Sequence, residues 1–172
     1  ARVPLPTMSA MATPEELNRN GMELYKAGNF DGAIAAYEAA VAQRPEYAPG
    51  HVNLALAYLK RGRPDDAVRA AQRAVTLSPQ AGPAHCQLAN AFAAKGRWNE
   101  AVAEYARAFE LDRGQVGGLA HAGHLCLDHG LSAKAVEFWS RFMAAAPADH
   151  PRRAEVQEHL AQASAARPVS RF

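Results

Sequence analysis

The stretch HVNLALAYLKRGRPDDAVRAAQRAVTLSP, residues 51–79, holds two apolar-periodic segments separated by a glycine and closed by a proline. Apolar residues recur at helical spacing on both sides of Gly62, which predicts two short amphipathic helices. Gly62 can adopt the left-handed backbone conformation that ends the first helix. Pro79 ends the second helix because proline cannot continue a helix interior. The stretch therefore predicts one helix–turn–helix unit.

This unit repeats along the chain with a period of 34 residues. Three columns of the aligned repeats hold only glycine, only alanine, or only small residues: Gly28, Gly62, Gly96 and Gly130; Ala33, Ala67, Ala101 and Ala135; Gly21, Ala55, Ala89 and Gly123. The glycines stand at helix ends, and the small residues allow two helices to approach closely. Several columns at one fixed period predict a solenoid in which each unit packs on its neighbours.

The pattern resembles the tetratricopeptide repeat (TPR) family, whose positions in the second repeat are matched by Leu54, Ala55, Tyr58, Gly62, Ala67, Ala74 and Pro79. Four repeats fit, at residues 14–47, 48–81, 82–115 and 116–149. The resemblance implies an all-α fold, a right-handed TPR solenoid of four helix–turn–helix repeats plus a C-terminal capping helix. The family is defined by packing residues, so this resemblance says more about the fold than about the function.

Both ends of the chain lie outside the repeats. Residues 1–13 are expected to be an irregular extension, and Thr13 followed by Pro14 is a strong helix start. Residues 150–172 are expected to form a capping helix over about 151–166 and a tail. A terminal cap covers the last exposed face of a solenoid.

In TPR proteins the first helix of each repeat lines the concave groove. Carried over position by position, the resemblance assigns the groove to Arg19, Met22, Tyr25, Lys26, Asn53, Leu56, Lys60, Gln87, Asn90, His121, His124 and Asp128. Asn18 also falls on a groove position.

The groove residues change in character along the chain, from basic and apolar to amide-bearing to histidine and aspartate. Amide side chains suit an extended peptide because each can donate to and accept from its backbone. The sequence therefore predicts a protein–protein interaction adaptor or scaffold. It would bind an extended or helical segment of a partner protein in the groove, within a larger assembly.

One specific mode of binding is not predicted. TPR co-chaperones of heat-shock proteins hold a C-terminal carboxylate with a defined clamp of lysine, asparagine and arginine. At the clamp positions this chain has Asn18, Met22, Asn53, Pro83 and Gln87, of which only Asn53 matches.

The stretch HAGHLCLDHG, residues 121–130, supports an alternative interpretation. His121, His124 and Asp128 fall on one helical stripe, and two neighbours on it can share a metal ion, although a full site needs ligands from elsewhere. A metal- or cofactor-binding carrier using this helix therefore stays open, while the leading interpretation includes no cofactor and no metal. Asp128 is expected to pair with His124 and to favour its charged form.

Other function classes find little support. No nucleophile–base pair or phosphate-binding loop is present, so an enzyme is not expected. A net charge of +2 with interspersed signs argues against nucleic acid, and no apolar run is long enough for membrane insertion. The solenoid ends offer surfaces for self-association unless residues 1–13 cover them. The Ala- and Arg-rich composition is typical of bacterial proteins, and the sequence leaves cytoplasmic and periplasmic locations open.

Overall fold

The computed structural model describes residues 12–165, with side chains to residue 163. This range contains nine α-helices, one short 3-10 helix and no strand. The α-helices are α1 Pro14–Lys26, α2 Phe30–Gln43, α3 Ala48–Lys60, α4 Pro64–Leu77, α5 Gly82–Ala94, α6 Trp98–Leu111, α7 Gly117–Asp128, α8 Ser132–Ala145 and α9 Arg153–Ala165. The 3-10 helix Arg113–Gln115 lies between α6 and α7. The predicted all-α class is confirmed.

Local sequence signals set the helix ends. Thr13 caps α1, because its Oγ1 accepts from the backbone N–H of Glu16 (3.2 Å) and the Glu16 carboxylate accepts from the Thr13 N–H (2.8 Å). The four glycines of the repeat column follow α1, α3, α5 and α7 with φ between 68° and 78°. These left-handed residues end the first helix of each pair, as the sequence predicts.

The helices group into two compact units, one ending at Pro79 and the other beginning at Gln80. In the first unit α1 packs on α2, α3 on α4, α2 on α3, and α1 also contacts α3. Its core combines alanines with Tyr37, which is almost fully buried. Gly21 makes room for this ring, since a Cβ there would lie 2.5 Å from Tyr37 Cε1.

In the second unit α5 packs on α6, α6 on α7, α7 on α8, and α8 on α9. The largest fully buried side chains are Trp139, Phe142, Leu119, Val156 and Cys126. Helix α9 caps the unit by burying Val156 completely, while Arg153 Nη1 donates to the carbonyl oxygens of Met143 (3.0 Å) and Ala146 (2.8 Å). These contacts hold α9 firmly against α8.

Across the described helices, none combines the length and the apolar character needed to cross a membrane.

Candidate functional site

The first unit presents an open stripe of cationic and apolar side chains, here called the α1–α3 face and made of Arg19, Met22, Lys26 and Lys60. The three α1 residues fall at i, i+3 and i+7, so they share one side of the helix. All four side chains are exposed, and 42% of Met22 is accessible to solvent. Within residues 12–165 none of the three cations forms an ion pair.

Two predicted groove residues lie half-buried in the same unit. Tyr25 packs edge-on against Phe30 with ring centroids 5.2 Å apart, and burial raises its pKa. Leu56 on α3 is also half-buried. These side chains supply apolar surface beside the charged stripe.

Asn53 does not present a free amide. Its Nδ2 donates to Asn18 Oδ1 at 2.9 Å, which links α3 to α1. Asn18 is buried, with 8% of its surface accessible, and its Nδ2 approaches Met22 Sδ at 3.8 Å. The assignment of Asn18 to an open groove position is therefore wrong, because its side chain serves the contact between two helices.

The amides of the second unit are also engaged within the protein. Tyr105 Oη donates to Asn90 Oδ1 at 2.6 Å, and Asn90 Nδ2 donates to Gln87 Oε1 at 3.2 Å. Much of the hydrogen-bonding capacity that the sequence assigns to a peptide backbone thus goes to intramolecular partners.

His121 lies half-buried beside the Tyr105 ring, with centroids 5.5 Å apart. Burial lowers the pKa of His121 to about 4, and the nearby Arg152 and His124 act in the same direction. The imidazole is therefore neutral at neutral pH.

His124 meets two residues of the capping helix. Its Nε2 lies 3.1 Å from His159 Nδ1 and 3.4 Å from Glu155 Oε1. Burial lowers the pKa of His124, and Glu155, the largest opposing influence, raises it. The expected ion pair between Asp128 and His124 is wrong, because His124 contacts Glu155 instead. Asp128 does raise the pKa of His124, as expected, but it is the weakest of the influences and desolvation gives a net lowering.

Trp139 forms the floor of this arrangement. Its ring stacks on His159 with centroids 5.1 Å apart and an interplanar angle of 15°, and meets His124 edge-on at 5.4 Å. The fully buried indole lies against the Cα of Gly123, where a Cβ would clash with it. Its Nε1–H has no hydrogen-bond partner among the described residues.

Of the three candidate ligands on α7, the structure therefore brings only His124 to a cluster. Asp128 is exposed, and His121 faces Tyr105. Sequence reasoning missed Glu155 and His159 as partners of His124. Their spacing of four residues on one helix was the available signal.

The two cysteines, Cys86 and Cys126, are free thiols. Cys86 is half-buried, and desolvation raises its pKa to about 11, while burial also raises the pKa of Cys126. Both therefore stay protonated at neutral pH and react slowly.

Comparison with solved structures finds the same fold in several proteins. A crystal structure of MamA aligns with a TM-score of 0.74 at 22% identity, covering 84% of this chain and 82% of MamA. Pseudomonas aeruginosa pilF aligns with a TM-score of 0.77 at 17% identity, covering 87% of this chain and 67% of pilF. The first TPR of Spaghetti (RPAP3), bound to HSP90 peptide SRMEEVD, aligns with a TM-score of 0.66 at 22% identity. The alignment covers 69% of this chain and 96% of the Spaghetti domain. At these identities the likeness establishes the fold alone.

A comparison with curated proteins found no significant match. Two family models, both described as tetratricopeptide repeat, match residues 18–82 and residues 58–120. Together they span more than half of the chain, and the helix pairs, terminating glycines and solved neighbours agree with them. The chain belongs to the tetratricopeptide repeat family.

Proposed function

We propose that this protein is an interaction adaptor whose α1–α3 face binds an acidic, partly apolar segment of a partner protein. The observation that carries the proposal is the lack of counterions for Arg19, Lys26 and Lys60 within the described residues. Four other arginines of the first unit are paired: Arg44 with Glu15, Arg61 with Asp31, and both Arg63 and Arg69 with Asp66. Arg73 on α4 has no ion pair among the described residues, but it stands apart from the α1 stripe on another helix. The three cations of the face are therefore available to accept acids from outside.

The apolar part of the segment has a counterpart in Met22. Met22 is 42% exposed and lies between two cations on the same side of α1. Its unbranched thioether adapts to differently shaped apolar partners, which suits an interaction surface. Tyr25 and Leu56 extend this apolar area.

The spacing of the cations limits the partner sequence. Arg19 and Lys26 are seven residues apart on α1, or about 10 Å along the helix axis. An extended peptide covers this distance in about three residues. We therefore expect two acidic residues about three positions apart, with an apolar residue between them that contacts Met22.

The HSP90 peptide bound to the Spaghetti TPR domain, SRMEEVD, combines acidic and apolar residues in the same way. This chain lacks the matching carboxylate clamp, since only Asn53 matches it and the amide of Asn53 is bonded to Asn18. The proposal therefore concerns internal acidic segments, whose recognition needs no terminal carboxylate.

Selection from a random peptide library displayed on phage, with the full chain immobilised, tests the proposal without knowledge of the natural partner. The double variant Arg19→Glu/Lys26→Glu serves for counter-selection. The double variant Arg73→Glu/Lys134→Glu is the matched control, because it makes the same charge change at exposed positions on α4 and α8.

We expect enriched peptides with two acidic residues around an apolar one, and we expect them to bind the control variant but not the counter-selection variant. Binding should weaken as salt is raised, because the ion pairs form at the surface. Enrichment of peptides without acidic residues, or equal binding to both variants, would contradict the proposal.

A further inference from the structure

The cluster of His124 on α7 with Glu155 and His159 on α9 belongs to the second unit and plays no part in the proposed function. Each residue offers one potential ligand atom, and all three atoms lie within 4.8 Å of one another. Two imidazole nitrogens and one carboxylate oxygen form a donor set that binds Zn²⁺ and related divalent transition metals.

The observed separations fit such an ion. A tetrahedral Zn²⁺ about 2.05 Å from each ligand atom leaves the ligand atoms about 3.3 Å apart. His124 Nε2 lies 3.1 Å from His159 Nδ1 and 3.4 Å from Glu155 Oε1. The remaining separation, between Glu155 and His159, is at most 4.8 Å, and rotation of the Glu155 side chain, which is 48% exposed, would close it.

The two histidine rings are held in place before any ion arrives. His159 lies flat on Trp139, and His124 meets the same indole edge-on. Helix α9 is fixed by the buried Val156 and by the two hydrogen bonds from Arg153. Glu155 and His159 are four residues apart, so they project from the same side of α9. The two rings therefore form a preorganised binding site. The Glu155 carboxylate lies at its solvent-exposed edge, where an ion can enter.

We propose that His124, Glu155 and His159 bind one divalent transition-metal ion of the zinc class, with its remaining coordination position open to water. The ion would join the fourth helix pair to the capping helix. Zinc sites with three protein ligands keep the fourth position for water, whereas purely structural sites are closed by four protein ligands. This proposal does not depend on the partner-binding proposal, and either can fail alone.

The competing explanation is a direct hydrogen bond between the two imidazoles, with Glu155 as an ion-pair partner. That arrangement also brings the nitrogens to 3.1 Å. The two explanations differ in what Glu155 contributes, because a hydrogen-bonded histidine pair needs no third ligand and takes up no metal.

Zinc titration of the full chain, stripped of metal by a chelator, separates them. A chromophoric chelator that competes for Zn²⁺ reports stoichiometry and Kd. The test variants are His159→Gln and Glu155→Gln. The matched controls are His129→Gln, at the C-cap of α7, and Glu158→Gln, which is exposed on α9.

We expect one Zn²⁺ per chain, a Kd raised at least about 10-fold in both test variants, and a Kd within about 2-fold of wild type in both controls. Glu155→Gln preserves shape at an exposed position, so it keeps the test decisive even if His159→Gln disturbs folding. No stoichiometric uptake, or a Glu155→Gln chain that binds Zn²⁺ as wild type does, overturns the proposal.

Trp139 provides a second readout. The chain has two tryptophans, so Trp98→Phe leaves Trp139 as its single indole. Co²⁺ seated on His159 would lie next to the stacked indole and quench its fluorescence, and excess Zn²⁺ should restore it. Unchanged Trp139 emission at saturating Co²⁺ contradicts binding at this cluster.

Discussion

The α1–α3 face and the histidine cluster differ in how their polar groups are satisfied. Arg19, Met22 and Lys26 are exposed, and the two cations have no counterion within the described residues. His124 and His159 contact each other and a buried indole. Both regions lie on or beside the first helices of repeats. The side chains of the α1–α3 face are exposed to solvent, whereas the histidines of the cluster already contact other side chains.

This difference predicts that the α1–α3 face serves partner binding and that the histidine cluster contributes to stability. Side chains that contact only solvent contribute little to the free energy of unfolding, so they are free to serve a partner. Side chains packed around a buried ring contribute to folding, and a ligand that joins them adds to stability. Measurements of stability should therefore distinguish the two regions before any partner is known.

The largest expected effect is at Trp139. Trp139→Ala should lower the free energy of unfolding by about 3–5 kcal/mol, because it empties the largest fully buried site of the second unit. Trp139→Phe should cost less than about 1.5 kcal/mol, since it keeps an aromatic ring and the indole N–H bonds to nothing described. Urea denaturation followed by circular dichroism measures both. Similar losses for the two variants would contradict this expectation, because they would show that a phenyl ring at this position preserves no stability.

Zinc should have the next largest effect. At a free Zn²⁺ concentration about 100 times Kd, a site present only in the folded chain stabilises it by about 2.7 kcal/mol. Wild-type protein should therefore melt at a higher temperature in Zn²⁺ than in chelator. His159→Gln should melt at the same temperature in both. A zinc effect of equal size in His159→Gln would place the stabilising ion elsewhere.

The fold is predictable from the sequence because its determinants are local and repeated. Gly62 ends a helix through its own φ of 68°, and Thr13 caps α1 through residues three positions away. Each repeat carries such signals in the same places, so four copies reinforce one another.

The cluster is not predictable in the same way, because it joins residues 124 and 159 from different parts of the pattern. The repeat register places His124 on a groove stripe but says nothing about the capping helix, which has no counterpart in the repeats. Which side of α9 faces α7 depends on the burial of Val156 and on Arg153, and both are tertiary contacts. For the same reason Asn18 was assigned to an open position, although a partner 35 residues away occupies its amide.

Asn53 should show an intermediate effect. Asn53→Ala removes the donor to Asn18 Oδ1 and leaves a buried acceptor without its partner, which should cost about 1–3 kcal/mol. Asn20→Ala, at an exposed position on α1, should cost less than about 0.5 kcal/mol. Chemical denaturation of the two variants checks the difference. Equal, small losses would indicate that the Asn18–Asn53 bond is dispensable and that Asn53 is available to a peptide.

This expectation also affects how binding is tested. Loss of binding in Asn53→Ala would not distinguish a removed peptide contact from a weakened α1–α3 packing. The charged residues of the α1–α3 face avoid that ambiguity, because they have no structural partner among the described residues.

The smallest expected effect on stability is therefore the most informative about function. Arg19→Glu/Lys26→Glu should change the free energy of unfolding by less than about 0.5 kcal/mol, because both side chains are exposed and neither forms an ion pair in the described range. The same variant should lose affinity for the selected acidic peptides, whereas Arg73→Glu/Lys134→Glu should keep it. A double variant that unfolds more easily than its control would show that these cations support the fold, and the α1–α3 face would then lose its distinction from the histidine cluster.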